Sequence, residues 1–491
     1  MSNERNTLKQ WIAEKKILAA DKTAVNAVDV VYGGAYSVKD YYMESGNPQQ
    51  MRGASQLLQD AAKKFEDCRY FECGAESFLI VPQGEGKTRA RELEQTFREF
   101  TITAQAAAVW RETTVDDLLD EEAFGKLWKA LNEAFRARRM LLFWPEEQHN
   151  GEPRCKRCNF RDVALGELCA SCANKVEHGG KDARESLKNE CLKHGREIGI
   201  PLTNIEVKTT QDIADGNGDI ALLYGDINNL GWAGKCLGGN VETRRLFCEE
   251  VKCVVTKALR TAVVKAISRS KYRAFEIIAV GGDDICLLLP GEIALLAGTL
   301  LLEEFDRLWA KRPAELKEVA LTIRVGIAVG QANTPILYMR EAAEQLMELA
   351  KGKACAESSC LDILTLNSDG QWATSVKKLR ADLIKTEGAT TAICTMRPFT
   401  KEDARMFLRC LCSYDVSKNT LYNIAEASAR CGIAEGDLWF RYLLSRQKKD
   451  AALIPLAGEY GDGMYFEQNG TLLSPWLDFT QLQGQKGGER P

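Results

Sequence analysis

The sequence predicts an α+β protein in which one strand–helix–hairpin unit occurs twice, with the first copy degenerate. Three observations predict this fold class. A short apolar run ends near Asp226, an apolar hairpin carries GGDD at 281–284, and two Cys-x2-Cys pairs lie at 155–172 between the two copies. The chain has 491 residues, which is too long for one hydrophobic core, so we expect two to four domains.

The composition is that of an ordinary globular protein. Its formal net charge of −4 and pI of about 5.8 exclude a strongly basic protein that wraps nucleic acid, although a local basic groove remains compatible. The polar N-terminus predicts no signal peptide, and the absence of a run of about 18 apolar residues predicts no membrane span. The 17 cysteines are mostly scattered in apolar segments, which favours reduced thiols and a cytoplasmic location.

The later copy, from 219 to 354, is the more complete one. "DIALLYGDINNLG" (219–231) reads as a buried strand with Asp226 just past its apolar run, and 241–273 reads as a long amphipathic helix. Two apolar strands joined at the GGDD turn follow, and then a helix, the strand "LTIRVGIAVG" and a last helix. This order predicts an antiparallel sheet backed by helices, with Asp226 beside Asp283 and Asp284.

The N-terminal segment repeats the same order less clearly. "AVNAVDVVYGG" (24–34) predicts a strand, 50–66 a helix, 68–86 a hairpin, and 88–110 a second helix. "GAESFLIVP" resembles "GGDDICLLLP", with Glu76 and Ser77 in place of the two aspartates. No acid follows the first strand at the place of Asp226, since Asp29 lies within that strand, so this copy is expected to hold no metal.

Four cysteines stand apart from the scattered ones. Cys155, Cys158, Cys169 and Cys172 form two Cys-x2-Cys pairs separated by ten residues, the spacing of tetrahedral Zn²⁺ sites. A redox Cys-x-x-Cys motif is the alternative. Because four thiolates leave no open coordination position, the zinc is predicted to be structural.

Two adjacent aspartates at a buried hairpin tip repel each other unless a cation neutralises them. Asp226, Asp283 and Asp284 together can hold two Mg²⁺ or Mn²⁺ ions, which prefer hard oxygen ligands. Two such ions can activate an attacking hydroxyl and stabilise a leaving pyrophosphate, which is the chemistry of nucleotidyl transfer. The alternative for GGDD alone is an ordinary surface turn, because Gly-Asp pairs often form turns.

The GGDD hairpin, the "GDINNLG" strand end, the terminal "AKGK", the degenerate first copy and the four-cysteine module together resemble one family. This family is the large subunit of type III CRISPR interference complexes, the palm-domain protein of the Csm and Cmr assemblies. The resemblance covers roughly residues 20–460 and implies two ferredoxin-like palm domains of the nucleotidyl cyclase, GGDEF-like kind. The predicted domains are a degenerate first palm at 1–150, a zinc-knuckle module at 151–180, a catalytic second palm at 181–370, and a C-terminal helical bundle with its tail at 371–491.

The resemblance also implies an activity. The second palm would convert ATP into cyclic oligoadenylates when a target RNA pairs with the guide RNA. The family's functional positions fall on the metal ligands Asp226, Asp283 and Asp284, the backbone carbonyl of Ile227, the turn glycines Gly281 and Gly282, and the phosphate-contacting Lys351. The implied partners are the backbone subunits, a small helical subunit, guide RNA and target RNA, with no membrane.

Two features of the sequence bear on this resemblance. Many family members begin with an HD nuclease, but His149, His178 and His194 include no His-Asp pair, so a short form without that nuclease is predicted. "DINNLG" also keeps one aspartate where the commoner family pattern has two. Two alternative functions stay open: a stand-alone cyclic dinucleotide synthase, and a scaffold whose GGDD site is catalytically silent.

Overall fold

The computed structural model of the chain describes residues 7–18, 26–142, 153–159, 161–281, 284–354, 358–366, 375–446, 452–468 and 470–485. Gly282 and Asp283, two of the predicted site residues, therefore lie outside the described residues. Within the described ranges, no helix is both long enough and apolar enough to cross a membrane.

The first palm is a four-stranded antiparallel sheet with helices packed on it. Its elements are α1 (Leu8–Glu14), β1 (Ala27–Tyr36), α2 (Val38–Tyr42), α3 (Pro48–Lys63), β2 (Arg69–Cys73), β3 (Glu76–Pro82), α4 (Gly86–Thr101), β4 (Gln105–Thr114), α5 (Val115–Leu119) and α6 (Glu121–Leu141). The strand order is β2-β3-β1-β4. Asp29, within β1, is fully buried and accepts hydrogen bonds from the backbone N–H groups of Gly84 and Gly86, at the N-terminus of α4.

The prediction of one helix over 88–110 is wrong for the second half of that segment. The helix ends at Thr101, and Gln105–Thr114 forms β4, which pairs along its whole length with β1. Alanine favours helices, but at 106–108 the alanines are small enough to be buried on both faces of the sheet. Tertiary pairing therefore overrides the local helix propensity of this segment.

The cysteine-bearing segment leads into α7 (Ala170–His178) and α8 (Lys181–Glu197). Helix α7 packs closely on α3 of the first palm: a Cβ atom at Gly53 would lie 1.8 Å from the carbonyl oxygen of Lys175, and one at Gly179 would lie 1.8 Å from that of Gln49. Only residues without a side chain allow the two backbones to approach this closely. The module is thereby joined to the first palm.

The second palm has the element order that the sequence predicts. Its elements are β5 (Asp219–Asn228), α9 (Leu230–Cys236), α10 (Val241–Ser268), β6 (Glu276–Gly281), β7 (Asp284–Pro290), α11 (Ala294–Trp309), β8 (Thr322–Gln331), α12 (Ile336–Ala354) and β9 (Cys360–Thr365). The strands lie in the order β9-β8-β5-β7-β6, and β9 runs parallel to β8 while the other pairs are antiparallel.

The two palms are built alike. The order β6-β7-β5-β8 in the second matches β2-β3-β1-β4 in the first. In each palm, one residue with a left-handed backbone joins the first strand to a short helix: Ser37 (φ 51°) before α2 and Asn229 (φ 59°) before α9. The repeat predicted from the hairpins is therefore present in the topology as well.

The C-terminal region is helical, as predicted, but also contains strands that were not predicted. Its elements are α13 (Val376–Ala381), β10 (Ile384–Glu387), β11 (Thr390–Ile393), β12 (Phe399–Thr400), α14 (Lys401–Ser413), α15 (Lys418–Arg430), α16 (Ile433–Arg446), α17 (Leu453–Gly458), β13 (Phe466–Gln468), β14 (Thr471–Leu473) and α18 (Trp476–Gln481). Strands β10, β11, β14 and β13 form a small sheet, and β12 joins the second palm sheet beside β9.

Candidate active site at the edge of the second palm

The sheet register brings two of the predicted carboxylates together. The β5–β7 pairing ends with Gly225 opposite Ile285, and the β6–β7 hairpin ends with Gly281 opposite Asp284. One step further along the antiparallel register, Asp226 lies opposite Asp284, and directly opposed residues present their side chains on the same face. The charge of Asp226 accordingly contributes to raising the pKa of Asp284.

Asp284 lies at the contact between the two palms. Tyr224 donates its hydroxyl hydrogen bond to Oδ1 at 3.1 Å, and Tyr42 of the first palm donates to Oδ2 at 3.5 Å. Lys39, on the same short helix as Tyr42, places its ammonium 3.3 Å from Oδ1. Burial is the largest cause of the raised pKa of Asp284, and the positive charge of Lys39 opposes it.

Asp226 is 6% exposed and pairs with a residue that sequence reasoning missed. Its register partner on β8 is Arg324, which donates hydrogen bonds to Oδ2 from Nε at 2.9 Å and from Nη2. On its other side, Arg324 Nη1 lies 3.2 Å from Oε1 of Glu348 on α12. The signal in the sequence was a single arginine inside the apolar strand "LTIRVGIAVG".

The remaining predicted residues lie at the same edge or outside the described residues. Gly281 is the last residue of β6, while Gly282 and Asp283 are not described. Ile227 is 3% exposed within β5, with its side chain in the hydrophobic core, so only its backbone carbonyl is available to a ligand. Lys351 is exposed on α12, about one turn beyond Glu348.

The donors at this edge fit a hard divalent cation. They are carboxylate oxygens and one backbone carbonyl, the ligand types that Mg²⁺ and Mn²⁺ prefer. The charge of Asp226, which helps to raise the pKa of Asp284, also fits, because two carboxylates on one face gain from a shared cation. Arg324 is the one cation already paired with Asp226 in the described site.

A cavity of about 950 Å³ opens between the palms at this edge. Asp284, Val280 and Ile277 of the second palm line it, as do Tyr42 and Glu76 of the first. Basic side chains line it from both palms: Arg69, Arg136, Arg139, Lys235, Arg244 and Lys252. The cavity is large enough for a nucleotide. Its lining combines these basic groups, which suit phosphate, with acids that include Glu66, Glu72 and Glu190.

The first palm repeats half of the second palm's site. Tyr32 donates its hydroxyl hydrogen bond to Oε2 of Glu76 at 3.2 Å, at the β1 and β3 positions that correspond to Tyr224 and Asp284. Strand β3 (76–82) and strand β7 (284–290) both have seven residues and both end in proline, which fixes this correspondence.

The predicted match of Glu76 and Ser77 to the Asp-Asp pair is therefore wrong by one residue. Glu76 corresponds to Asp284, and Ala75 corresponds to Asp283. Gly34, which lies opposite Glu76, takes the place of Asp226. The first palm thus keeps one acid where the second has three.

The four cysteines of the knuckle lie together. Their sulfur atoms are all within 4.8 Å of one another, and Cys158 and Cys169 are separated by 3.8 Å, so the cluster could hold a zinc ion. A hydrogen bond from Cys172 is the main cause that lowers the pKa of Cys169 to about 5. The cluster is anchored to the first palm through Glu44, which accepts hydrogen bonds from Arg161 at 2.6 and 3.0 Å and from Lys175 at 2.5 Å.

Comparison with known proteins bears on the second palm and on the whole fold. Residues 219–358 match the family model described as Cas10/Cmr2, second palm domain. A comparison with curated proteins found no match. The family model confirms, for this segment, the resemblance to the large subunit of type III complexes.

Solved structures share the fold of the whole chain. A Csm1–Csm4 cassette in complex with one ATP has 13% sequence identity and a TM-score of 0.55, covering 98% of this chain and 73% of that chain. The cassette in complex with cA3 has 12% identity and a TM-score of 0.53, covering 98% and 72%. Csm1 from T. onnurineus has 13% identity and a TM-score of 0.54, covering 94% and 70%. The predicted α+β palm architecture is confirmed.

Proposed function

We propose that this chain, whose residues 219–358 match the second palm domain of Cas10/Cmr2, is a nucleotidyltransferase that makes cyclic oligoadenylates from ATP. It does so within an RNA-guided type III complex and responds to target RNA. One observation carries the proposal: Asp226 and Asp284 share one face of the sheet edge, and Asp284 lines a cavity of about 950 Å³ between the two palms. Structures of similar fold contain ATP and cA3, which supports the choice of substrate and product.

Each residue of the site has a proposed part. Asp226, Asp283 and Asp284, with the Ile227 carbonyl, would hold Mg²⁺ or Mn²⁺. When bound, such an ion would supply the positive charge that activates the attacking 3′-hydroxyl and neutralises the leaving pyrophosphate.

Other residues of the chain position the metal-binding carboxylate and the triphosphate. Tyr224 and Lys39 fix the Asp284 carboxylate through contacts at 3.1 and 3.3 Å. Gly281 and Gly282 would let the triphosphate approach the backbone closely, and Lys351 would contact a phosphate from α12.

The partners are proposed on the same grounds. The similar structures include Csm1–Csm4 cassettes and a Csm1–Csm4 subcomplex in the type III-A CRISPR-Csm interference complex. This chain would assemble with the corresponding backbone subunits, a small helical subunit, guide RNA and target RNA. A structural zinc in the four-cysteine cluster would complete the set of cofactors.

The test uses the chain purified with its co-expressed partner subunits and guide RNA. ATP, Mg²⁺ or Mn²⁺ and complementary target RNA are added, and products are identified by mass spectrometry. We expect cyclic oligoadenylates that require target RNA, and loss of product to background in the Asp226→Asn and Asp284→Asn variants. Asp117→Asn, an exposed acid on α5, is the matched control and should retain activity.

Other outcomes would overturn the proposal. Cyclic dinucleotide made from GTP without RNA would show a stand-alone synthase. No product from any nucleotide, in a complex that assembles and binds its target, would show a scaffold with a silent site.

A further inference from the structure

Strand β8 carries a charged residue at a position where the fold favours an apolar one. Arg324 is 8% exposed, and its strand neighbours Ile323 and Val325 are buried in the core. A buried guanidinium is stable only when its charge and hydrogen bonds are satisfied. Here Nε and Nη2 of the guanidinium both donate hydrogen bonds to the same oxygen, Oδ2 of Asp226.

The third nitrogen of the guanidinium faces a different carboxylate. Nη1 lies 3.2 Å from Oε1 of Glu348 without forming a hydrogen bond to it. The Glu348 side chain is 56% exposed, whereas that of Asp226 is 8% exposed. Arg324 therefore lies between a buried acid at the palm edge and an exposed acid on α12.

We propose that Arg324 is a positioning residue that acts as an exchangeable internal cation of the palm site. It pairs with Asp226 when no divalent ion is bound, and it pairs with Glu348 alone when a divalent ion coordinates Asp226. This inference rests on the proposed function, in which Asp226 is a metal ligand. The exchange breaks hydrogen bonds and an ion pair but no covalent bond.

The physical argument is competition for one carboxylate. A carboxylate oxygen that accepts two guanidinium hydrogen bonds is a poor ligand for a metal, and a guanidinium held beside a divalent ion is repelled by it. Glu348 lowers the cost of the exchange because it offers Arg324 a second partner within reach of the same side chain. Arg324 therefore weakens metal binding, and Glu348 strengthens it.

The test measures Mn²⁺ binding to the full-length chain directly, by electron paramagnetic resonance titration of free Mn²⁺ without nucleotide. Arg324→Gln should bind Mn²⁺ at the palm about tenfold more tightly than the native chain, because the competing cation is gone. Glu348→Gln should bind it about threefold more weakly. Glu344→Gln, one turn earlier on α12 and paired with Arg340 at 3.4 Å, is the matched control and should leave the Kd unchanged.

A double variant separates the exchange from the simple loss of a negative charge near the metal. If Glu348 acts through Arg324, Glu348→Gln should have little effect once Arg324 is already glutamine. If Glu348→Gln weakens Mn²⁺ binding equally in the native chain and in Arg324→Gln, the proposed exchange is wrong. It is also wrong if Arg324→Gln binds Mn²⁺ no more tightly than the native chain.

The same titration distinguishes this inference from the proposed function. If the native chain and its Asp284→Asn variant bind Mn²⁺ equally, the palm holds no metal and the proposed function fails. If that variant loses a site but Arg324→Gln does not tighten it, only the role of Arg324 fails. Thermal unfolding of each variant checks folding. If Arg324→Gln does not fold, Glu348→Gln alone can still overturn the inference, because an unchanged Mn²⁺ affinity in that exposed variant would contradict it.

Discussion

Tyr32 donates its hydroxyl hydrogen bond to Glu76 at 3.2 Å, in the same strand positions that Tyr224 and Asp284 occupy in the second palm. The two acids differ in their surroundings. Asp284 has Lys39 at 3.3 Å and Asp226 opposite, whereas Glu76 faces Gly34. The repeat therefore keeps a tyrosine–acid pair in each palm but only the second palm assembles a cluster of carboxylates.

The stability of the first palm should depend on the protonation of Glu76. Burial raises the pKa of Glu76 to about 7 from a usual value near 4.5, and Tyr32 and Arg139 oppose this rise. Between these two pH values the folded chain holds a proton that the unfolded chain has lost, so the unfolding free energy falls as pH rises. The loss is complete above about pH 7.

The check is thermal unfolding of the native chain and Glu76→Gln at pH 5 and pH 8. The native midpoint should fall more than that of Glu76→Gln over this interval, by roughly 4 °C. Glu112→Gln, an exposed acid on β4, should keep the native pH dependence. Equal pH dependence in the native chain and Glu76→Gln would contradict the prediction.

Much of the second palm could be predicted because its sequence pattern is local. The apolar runs and the glycine turn mark β5, β6 and β7, and the order of helices follows from 3.6-residue spacing. The four cysteines also reveal their cluster by spacing alone. What could not be predicted depends on partners distant in sequence. Arg324 meets Asp226 across 98 residues, and no local pattern specifies that register.

The errors have physical reasons as well. The alanines of 106–108 carry no periodic signal, so only pairing with β1 shows that they form a strand. Matching the two hairpins from Gly74 and Gly281 puts Glu76 at the position of Asp283. Matching them from the prolines that end β3 and β7 puts Glu76 at the position of Asp284, which is the register of the strands. The small C-terminal sheet has strands of three or four polar or mixed residues, and β11 finds its partner β14 about 80 residues later.

Removing metal from the cysteine cluster should loosen the module from the first palm. Cys172→Ser should lower the zinc content, measured by elemental mass spectrometry, from about one ion per chain to background. Protease cleavage within 153–180 should become faster, because α7 is held by the cluster and by Glu44. Cys236→Ser, an exposed cysteine on α9, is the matched control. A zinc content unchanged by Cys172→Ser would contradict the assignment.

A side chain at Gly326 should destabilise the second palm. A Cβ atom there would lie 1.8 Å from the carbonyl oxygen of Ala343, so α12 would have to move away from β8. Such overpacking costs about 1–3 kcal/mol, which would lower the thermal midpoint of Gly326→Ala. Gly125→Ala on α6, where no atom beyond its chain neighbours and the adjacent helix backbone lies within 4 Å of the added Cβ, should be neutral or slightly stabilising. Equal midpoints for the two variants would show that the helix accommodates the methyl group.

The C-terminal region should depend on one buried ion pair. The side chains of Arg397 and Asp478 are both 0% exposed and lie 2.7 Å apart. Arg397 also donates to the carbonyl oxygen of Ile363 on β9 at 2.8 Å. Arg397→Met would leave the Asp478 carboxylate buried without its counter-ion, which costs about 3–5 kcal/mol. We expect a clearly lower midpoint of thermal unfolding for the variant.

The matched control for this pair is Arg441→Met, because Arg441 pairs with Asp437 at 2.8 Å on the surface of α16. An exposed pair of this kind contributes about 0.3–0.5 kcal/mol, so its loss should barely change the midpoint. Adding Asp478→Asn to Arg397→Met should recover part of the lost stability, since the uncompensated charge is then removed. If the double variant is no more stable than Arg397→Met, the buried charge is not the cause of the loss, and the missing contact between the C-terminal region and β9 accounts for it.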